Sequence, residues 1–317
     1  MQFKKVLLPT DFSERSLEAM EFALPLLKQL DAEPELHLVH VFAPNYPPAS
    51  MAALPLVLPE PSVKKQVRRH LRDVARRHSL SVLEENINAV KGRPFEEISR
   101  LARVRGIDLI VTSTRGNTGL KHLLLGSTAE RIVRYSPCPV LVVRPAFLKK
   151  KTGGNGSARR EASFGKILMP IDFSECSMKG LEYAKALARR FGSKLVLLHS
   201  VAFQYYITSD EYPRYDLPVL MRQAEKASRH QMRLLKTMDW DGIEVELSLQ
   251  IGHAGQQICA RALEHRADLI VTTTHGTTGF KHILVGSTAE YVVQHASCPV
   301  LVVPSHERPA FSATGQG

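Results

Sequence analysis

The clearest chemical signal in the sequence is a loop bounded by glycines that occurs twice. Gly116 is followed by nine residues and then by Gly126-Ser127-Thr128-Ala129-Glu130, and Gly276 is followed by nine residues and then by Gly286-Ser287-Thr288-Ala289-Glu290. Glycine lets a backbone approach an anion closely, and a Gly-Ser-Thr turn at a helix start presents free N–H groups and two hydroxyls, which suits a polyphosphate. The Ser-x-x-Glu spacing also fits a capping box that needs no ligand, so both interpretations stay open.

A second repeated segment carries an aspartate. Pro9-Thr10-Asp11-Phe12-Ser13 returns as Pro170-Ile171-Asp172-Phe173-Ser174, each time at the end of a short apolar run. A carboxylate at such a strand-to-helix turn can contact a ligand beyond the strand, or it can cap the helix that follows. Both interpretations stay open for Asp11 and Asp172.

Neighbouring basic residues add weaker signals. Arg115 beside Gly116 can reach a phosphate, whereas the equivalent His275 is neutral over much of the physiological pH range. The repeated pairs Lys121-His122 and Lys281-His282 lie inside the loops, where we favour contact with solvent over contact with phosphate.

Several other chemistries find no pattern in the sequence. It has no GxxxxGK[ST] loop, no Gly-x-Ser-x-Gly elbow and no HExxH or paired Cys/His pattern, which disfavours a Walker-type ATPase, a hydrolase of that class and a zinc site. His40 and His199 lie on apolar strands, and we interpret them as hydrogen-bonded core residues rather than ligands.

The elements that hold these residues are duplicated. The segment from Gly116 to Val143 returns without a gap as Gly276 to Val303, with 18 of 28 positions identical. We predict one domain over residues 1–148, a flexible basic linker over 149–163, a second domain over 164–305 and a tail over 306–317.

Within each copy, short apolar runs alternate with amphipathic stretches, which is typical of βαβ units. Strands are predicted in the second copy at 166–170, 194–200, 243–251, 268–273 and 300–303. Helices are predicted at 174–190, 256–265 and 287–295, and the first copy follows the same order, with Pro25 inside its first helix. The predicted fold class is α/β: two tandem doubly wound domains, each a five-stranded parallel sheet with helices on both faces.

Composition places the chain among water-soluble globular proteins. Of its 317 residues, 44% are hydrophobic and 23% are charged, and no run of 18 apolar residues offers a membrane span. The four cysteines lack CxxC spacing, so we expect a cytoplasmic protein without disulfide bonds.

The net charge of +11 is unevenly distributed, with +6 over residues 1–148, +4 over 149–163 and +1 over 164–317. Much of the excess lies on one helix, where Asp73 is accompanied by seven basic residues: Lys64, Lys65, Arg68, Arg69, Arg72, Arg76 and Arg77. Such a run can contact phosphates or an anionic surface. A solvated helix face is the simpler interpretation, because no aromatic residues interleave to stack on bases.

Four repeated features together resemble the universal stress protein family. They are the G-x9-G-[ST] loop, the P-[TI]-D-F-S segment, the Leu-Val-His40-Val41 strand end and the closing Cys-Pro-Val-Leu-Val-Val strand. They fall in family order and cover nearly the whole chain, twice. The resemblance implies a Rossmann-like fold of the adenine nucleotide alpha hydrolase type that binds ATP in many members, with Mg²⁺ as an accompanying ion. It also implies an aspartate near the ribose, a strand end at the adenine and the glycine loop at the phosphates.

Carried over residue by residue, the resemblance implies a cofactor site in each copy. The first site comprises Pro9, Thr10, Asp11, Val41, Ser113, Arg115, Gly116, Gly126, Ser127 and Thr128. The second comprises Pro170, Asp172, Ser200, Thr273, His275, Gly276, Gly286, Ser287 and Thr288.

Two departures from the family pattern bear on binding. Ser113 and Thr273 stand where the ATP-binding pattern has a glycine, and they add bulk at a point of close backbone approach. Ser200 replaces the apolar residue that the family has at the adenine position, so the first copy, with Val41, is predicted to be the better site.

Three functions follow as hypotheses. The first is a stress-response binding module whose adenine-nucleotide occupancy is read by protein partners. The second is a slow ATPase or phosphotransferase, for which the available acids are Asp11, Asp172, Glu130 and Glu290. The third is a scaffold that binds nucleic acid or another anionic partner through its basic helix, and it predicts a steep salt dependence.

The family also implies an arrangement for the two copies. Val140–Val143 would pair with Val300–Val303 within one chain and cover two apolar strand edges. A homodimer is a further level of assembly compatible with this arrangement.

Overall fold

The computed structural model describes residues 3–30, 33–42, 60–114, 126–144, 164–201, 217–274 and 286–305. The chain divides into two compact units, whose described parts fall within residues 1–162 and residues 163–305. The linker predicted at 149–163 and the tail at 306–317 lie outside the described residues, so these exact boundaries stay predictions. The pairing predicted for the two closing strands also stays a prediction.

The first unit is a parallel sheet with helices between its strands. Its strands are β1 (Lys5–Pro9), β2 (Glu35–Phe42), β3 (Ile87–Lys91), β4 (Leu109–Ser113) and β5 (Val140–Val143). Its helices are α1 (Glu14–Leu30), α2 (Glu60–Arg77), α3 (Pro94–Arg105) and α4 (Ser127–Tyr135). The strand order is β3-β2-β1-β4-β5, and each of these neighbouring strands pairs in parallel.

The second unit repeats this arrangement. Its strands are β6 (Lys166–Pro170), β7 (Lys194–Val201), β8 (Val245–Ile251), β9 (Leu269–Thr273) and β10 (Val300–Val303). Its helices are α5 (Glu175–Phe191), α6 (Leu217–Leu235), α7 (Ala254–Glu264) and α8 (Ser287–His295). The order β8-β7-β6-β9-β10 is again wholly parallel, so the predicted doubly wound α/β class is confirmed.

Apolar runs explain the central strands. Strands β1, β4, β6 and β9 have fully buried centres, as expected where helices cover both faces of a parallel sheet. Gly106 and Gly192 end α3 and α5 in the left-handed conformation, which glycine adopts without a Cβ clash. Gly192 thus supplies the C-terminal cap of α5, and α1 continues through Pro25.

Three details of the sequence-based assignment were wrong. Helix α6 was missing from it, β8 begins at Val245 rather than at 243, and α7 begins at Ala254 rather than at 256. Ile243 lies in a turn, where its N–H donates to Trp240 O at 2.9 Å. In the parts of the chain that the structure describes, none of the helices is long and apolar enough to cross a bilayer.

Candidate functional site

Those predicted site residues that the structure describes lie at the carboxyl edge of the sheet in each unit. In the first unit β1 lies between β2 and β4, because the chain runs outward from β1 to β2 and β3 and then returns to β4 on the other side of β1. Such a reversal of strand order opens a crevice beyond the strand ends. Pro9 ends β1 and Ser113 ends β4, while Pro170 and Thr273 end the equivalent strands of the second unit.

The turn after β1 is held by its own polar groups. Thr10 is buried, and its N–H donates to Val39 O at 2.9 Å. Its hydroxyl accepts from the Phe12 N–H at 2.9 Å and lies 2.9 Å from Ser16 Oγ. The turn therefore joins β1, β2 and the first turn of α1.

The aspartates shape these turns without capping the helices. Asp11 Oδ1 accepts from the Ser13 N–H at 3.1 Å. Asp172 Oδ1 accepts from both the N–H and the hydroxyl of Ser174, at 3.0 and 2.6 Å.

The helix caps are the serines two residues further on. Ser174 Oγ accepts from the Ser177 N–H at 3.1 Å, and Ser13 Oγ accepts from the Ser16 N–H at 3.2 Å. The alternative that the aspartates are the N-caps is therefore wrong.

A short backbone hydrogen bond holds the start of α4 beside the end of β4, and an equivalent bond holds α8 beside β9. The Gly126 N–H donates to Thr114 O at 2.7 Å, and the Gly286 N–H donates to Thr274 O at 2.6 Å. A Cβ at Gly286 would lie 3.3 Å from that carbonyl oxygen, so glycine allows the close approach.

The N-cap position of both helices is the glycine itself. Gly126 and Gly286 have extended backbone angles, and no described side chain caps either helix start. Ser127, Thr128, Ser287 and Thr288 form the first turns.

The capping-box alternative is therefore wrong, because each serine lies one residue past the cap. Glu130 instead pairs with Arg134 at 3.1 Å, and Glu290 accepts from Gln294 Nε2 at 3.2 Å. First-turn N–H groups without a side-chain cap are the groups that bind anions at helix starts.

The two residues that replace the family glycine differ in their surroundings. Ser113 is buried. The Thr273 γ-methyl lies only 2.6 Å from where a Cβ of Gly180 would be, so this methyl faces α5. Helix α5 therefore accommodates much of the added bulk.

The second-strand ends also differ between the copies. Val41 lies in the β2–β3 ladder opposite Val90. Ser200 donates its hydroxyl to Gly252 O at 2.9 Å, which ties the end of β7 to the residue after β8.

His40 and His199 are hydrogen-bonded, as expected, but they are half-buried and lie at the carboxyl edge. His40 Nδ1 lies 2.7 Å from Thr10 O, and His199 Nδ1 lies 2.7 Å from Ile171 O. Both histidines are therefore neighbours of the site that were predicted only as core residues, although a histidine at the same place in both copies was an available signal.

Some of the predicted residues cannot be placed. Arg115, Gly116, His275 and Gly276 lie outside the described residues, as do both Lys-His pairs. Within the described ranges, no group of three or more His, Cys, Asp or Glu side chains forms a metal site. Burial raises the pKa of the Cys176 thiol on the first turn of α5, which keeps that thiol protonated.

The basic helix α2 has an additional acidic partner. Arg68 and Arg72 both bind Glu84, at 2.7 and 2.6 Å. Hydrogen bonds from Arg72 and Arg68 lower the pKa of Glu84 to about 2. The expectation that Asp73 is the acid opposite this run was therefore incomplete.

Comparison with known proteins gives the same assignment for both halves. The sequence profile of the universal stress protein family matches residues 2–144 and again residues 163–304. A universal stress protein of Methanocaldococcus jannaschii is 34% identical over 142 residues, which are 45% of this chain and 82% of that protein. One from Mycolicibacterium smegmatis is 26% identical over 305 residues, which are 94% of this chain and 96% of that relative.

A solved structure extends the likeness to the fold. The universal stress protein from Archaeoglobus fulgidus matches with a TM-score of 0.60 at 22% identity, covering 96% of this chain and 97% of that one. Because the family profile matches twice and takes in most of the sequence, the chain belongs to the universal stress protein family as a tandem of two family domains.

Proposed function

We propose that each copy binds ATP or a related adenine nucleotide at the carboxyl edge of its sheet, and that protein partners read its occupancy. The observation that carries the proposal is the helix start with a glycine N-cap, held by a 2.6–2.7 Å hydrogen bond beside the strand end. Such a start offers several N–H groups and the positive end of a helix dipole, equivalent to about half an elementary charge.

The remaining groups fit the parts of a nucleotide. Asp11 and Asp172 would face the ribose, and the backbone near Val41 and Ser200 would face the adenine. The helix starts at Gly126 and Gly286, with their Ser and Thr hydroxyls, would hold the phosphates. Mg²⁺ would arrive with the nucleotide.

A binding role is better supported than an enzymatic one. Phosphoryl transfer needs a base or a metal-holding carboxylate near the phosphates. Glu130 is engaged by Arg134 and Glu290 by Gln294, while Asp11 and Asp172 accept hydrogen bonds from their own turns. Any ATP hydrolysis would therefore be slow.

The experiment is to measure the nucleotide released when freshly purified protein is denatured, beside a Gly126→Asp, Gly286→Asp double variant. Aspartate suits the extended backbone of an N-cap, and the 3.3 Å approach of a Cβ at position 286 to Thr274 O needs a shift of only a few tenths of an ångström, so the variant should fold. Its carboxylate would occupy the N–H groups and repel phosphate. We expect ATP or ADP from the wild type, at up to two per chain, and none from the variant.

The double Gly→Asn variant is the matched control, because asparagine caps equally well without the charge. It should retain more nucleotide than the aspartate variant does. Wild-type protein that is empty and also fails to take up added ATP would overturn the proposal.

A further inference from the structure

The turn that carries the aspartate has the same unusual geometry in both copies. Phe12 and Phe173 have φ values of 62° and 63°, in the left-handed region that residues with a Cβ seldom adopt. This conformation is unfavourable for an L-amino acid, because its Cβ comes close to the following carbonyl oxygen. It persists only where surrounding contacts hold it.

A histidine of the second strand supplies one of those contacts in each copy, and in the first copy the Phe12 ring also packs against His70 at 5.8 Å. The Phe12 ring lies 4.4 Å from the His40 ring, and the Phe173 ring lies 4.9 Å from the His199 ring, both as centroid distances. Because a carbonyl oxygen can only accept, the histidine Nδ1 at 2.7 Å must carry the proton and donate it. In the second copy Ser228 Oγ lies 3.2 Å from His199 Nε2, so both ring nitrogens of this histidine have a hydrogen-bond partner.

The side chain of each histidine adds one hydrogen bond beyond the last backbone hydrogen bond between the two strands. In the second copy the Ile171 N–H donates to Leu198 O at 2.8 Å, and the Ile171 carbonyl accepts from His199. Both backbone groups of the residue before the aspartate are therefore fixed to β7. The residue after the aspartate is fixed by its ring.

From this geometry we propose that His40 and His199 are positioning residues of the nucleotide site. Each holds a strand-end carbonyl and the left-handed phenylalanine, so that the aspartate between them keeps one orientation at the crevice. The inference rests on the proposed function for its effect on the ligand. Its effect on the turn is independent of any ligand.

The test uses the full chain carrying Gly126→Asp, so that ATP binding reports the second copy. His199→Asn places an amide N–H near the position of Nδ1 and keeps the bond to Ile171 O, whereas His199→Leu removes that bond. We expect the leucine variant to bind ATP about tenfold more weakly, and the asparagine variant to remain within about threefold of its parent. His230→Leu, at an exposed position of α6, is the matched control and should leave the affinity unchanged.

Two further measurements separate positioning from simple stabilisation. Urea unfolding, followed through Trp240 in the second unit, should show comparable losses for His199→Asn and His199→Leu, since both lose the ring contact. Exchange of the Ser174 amide, which donates to Asp172, should accelerate in the leucine variant alone.

Equal losses of ATP affinity in the two variants would overturn the inference, as would an unchanged Ser174 amide in the leucine variant. If the parent protein binds no ATP, the proposed function fails. The amide exchange still decides whether the histidine holds the turn.

Discussion

The two copies fill the same contact between helix and sheet in opposite ways. In the first copy Ala19 is the sixth residue of α1 and Ser113 ends β4. In the second copy Gly180 is the sixth residue of α5 and Thr273 ends β9. The helix of the second copy lacks the methyl group of Ala19, and its strand has the additional γ-methyl group of Thr273. The two changes compensate, so close packing is kept.

The helix pair on the other side of the site shows a similar exchange. In the first copy Phe95, the second residue of α3, packs against Arg131 and Tyr135 of α4, with the Arg131 guanidinium 5.0 Å from the ring centroid. In the second copy Gly255 stands at the Phe95 position and Tyr291 at the Arg131 position. A Cβ at Gly255 would lie 2.7 Å from the Tyr291 ring.

These exchanges contrast with what the copies hold in common. Both keep the glycine N-cap, the aspartate turn, the left-handed phenylalanine and the histidine bond, all at the carboxyl edge. The helix contacts have diverged through compensating pairs, whereas the turns after β1 and β6 and the glycine helix starts have kept their geometry. This difference indicates that the edge is held by a requirement other than packing.

The largest expected effect comes from breaking one exchanged pair. Gly180→Ala places a methyl 2.6 Å from Thr273 Cγ2 and 2.8 Å from Met169 Cε. Overpacking of this kind costs about 1–3 kcal/mol, and we expect that loss in the free energy of unfolding of the second copy. Trp240, the one tryptophan in the sequence, reports this transition by fluorescence.

The double variant Gly180→Ala, Thr273→Ser recreates the pair of the first copy and should recover most of that loss. The reciprocal change Ser113→Thr should destabilise the first copy and be rescued by Ala19→Gly. Additive losses in either double variant would show that the pairs are independent, and the interpretation as an exchange would be withdrawn.

A smaller effect should distinguish the copies in acid. His37 on β2 is 1% exposed, its Nε2 lies 2.9 Å from Glu35 Oε1, and its Nδ1 is buried without a hydrogen-bond partner among the described residues. Burial lowers the pKa of His37, with Arg105 and Lys5 acting in the same direction against Glu35. Val196 occupies the equivalent place in β7.

Because the folded-state pKa of His37 is depressed, the unfolded chain takes up its proton first as the pH falls below about 6.5. The contribution of His37 to the stability of the first copy is therefore fully present above that pH. It declines as the pH falls from there through the folded-state pKa. The protection factors of the β2 amides, which are corrected for the intrinsic pH dependence of exchange, should fall over this range while those of β7 do not, and His37→Val should abolish the difference. An equal fall in both strands would refute a role for His37.

The helices and strands that could be predicted from the sequence are those set by local patterns. Helix α8 and strand β10 were predicted with their exact bounds, because the repeat and the apolar pattern coincide there. Helix α6 was missed because Ser228 takes one of its buried positions, which interrupts the apolar period formed with Met232 and Leu235.

The site was predictable in composition but not in detail. The family resemblance supplied its residues. The capping box failed by one residue, because the backbone angles of Gly126 decide where the helix begins. The histidine bond joins residues 30 positions apart, so only the fold could bring His40 to Thr10.

The smallest expected effect concerns the basic helix, which has no counterpart of equal charge in the second copy. Glu84→Gln removes the acceptor shared by Arg68 and Arg72. These groups are largely exposed, so we expect only a slight change in the urea midpoint at neutral pH. The depressed pKa of Glu84 means that its contribution is present above about pH 4.5 and is lost as the pH falls towards about 2.

The same pair changes how binding of anionic partners should be tested. Reversing Arg68 and Arg72 would place three acids together and disturb the local structure around Glu84. Lys65→Glu, Arg69→Glu is the cleaner variant, because both side chains are exposed and neither contacts Glu84 in the described structure. The control is Lys226→Glu, Arg233→Glu on α6, which changes the net charge by the same amount. If the basic helix is only a solvated face, the α2 variant and this control will lose the same amount of their weak, salt-sensitive retention on heparin. A selective loss for the α2 variant would show that the basic helix is a specialised surface of the first copy.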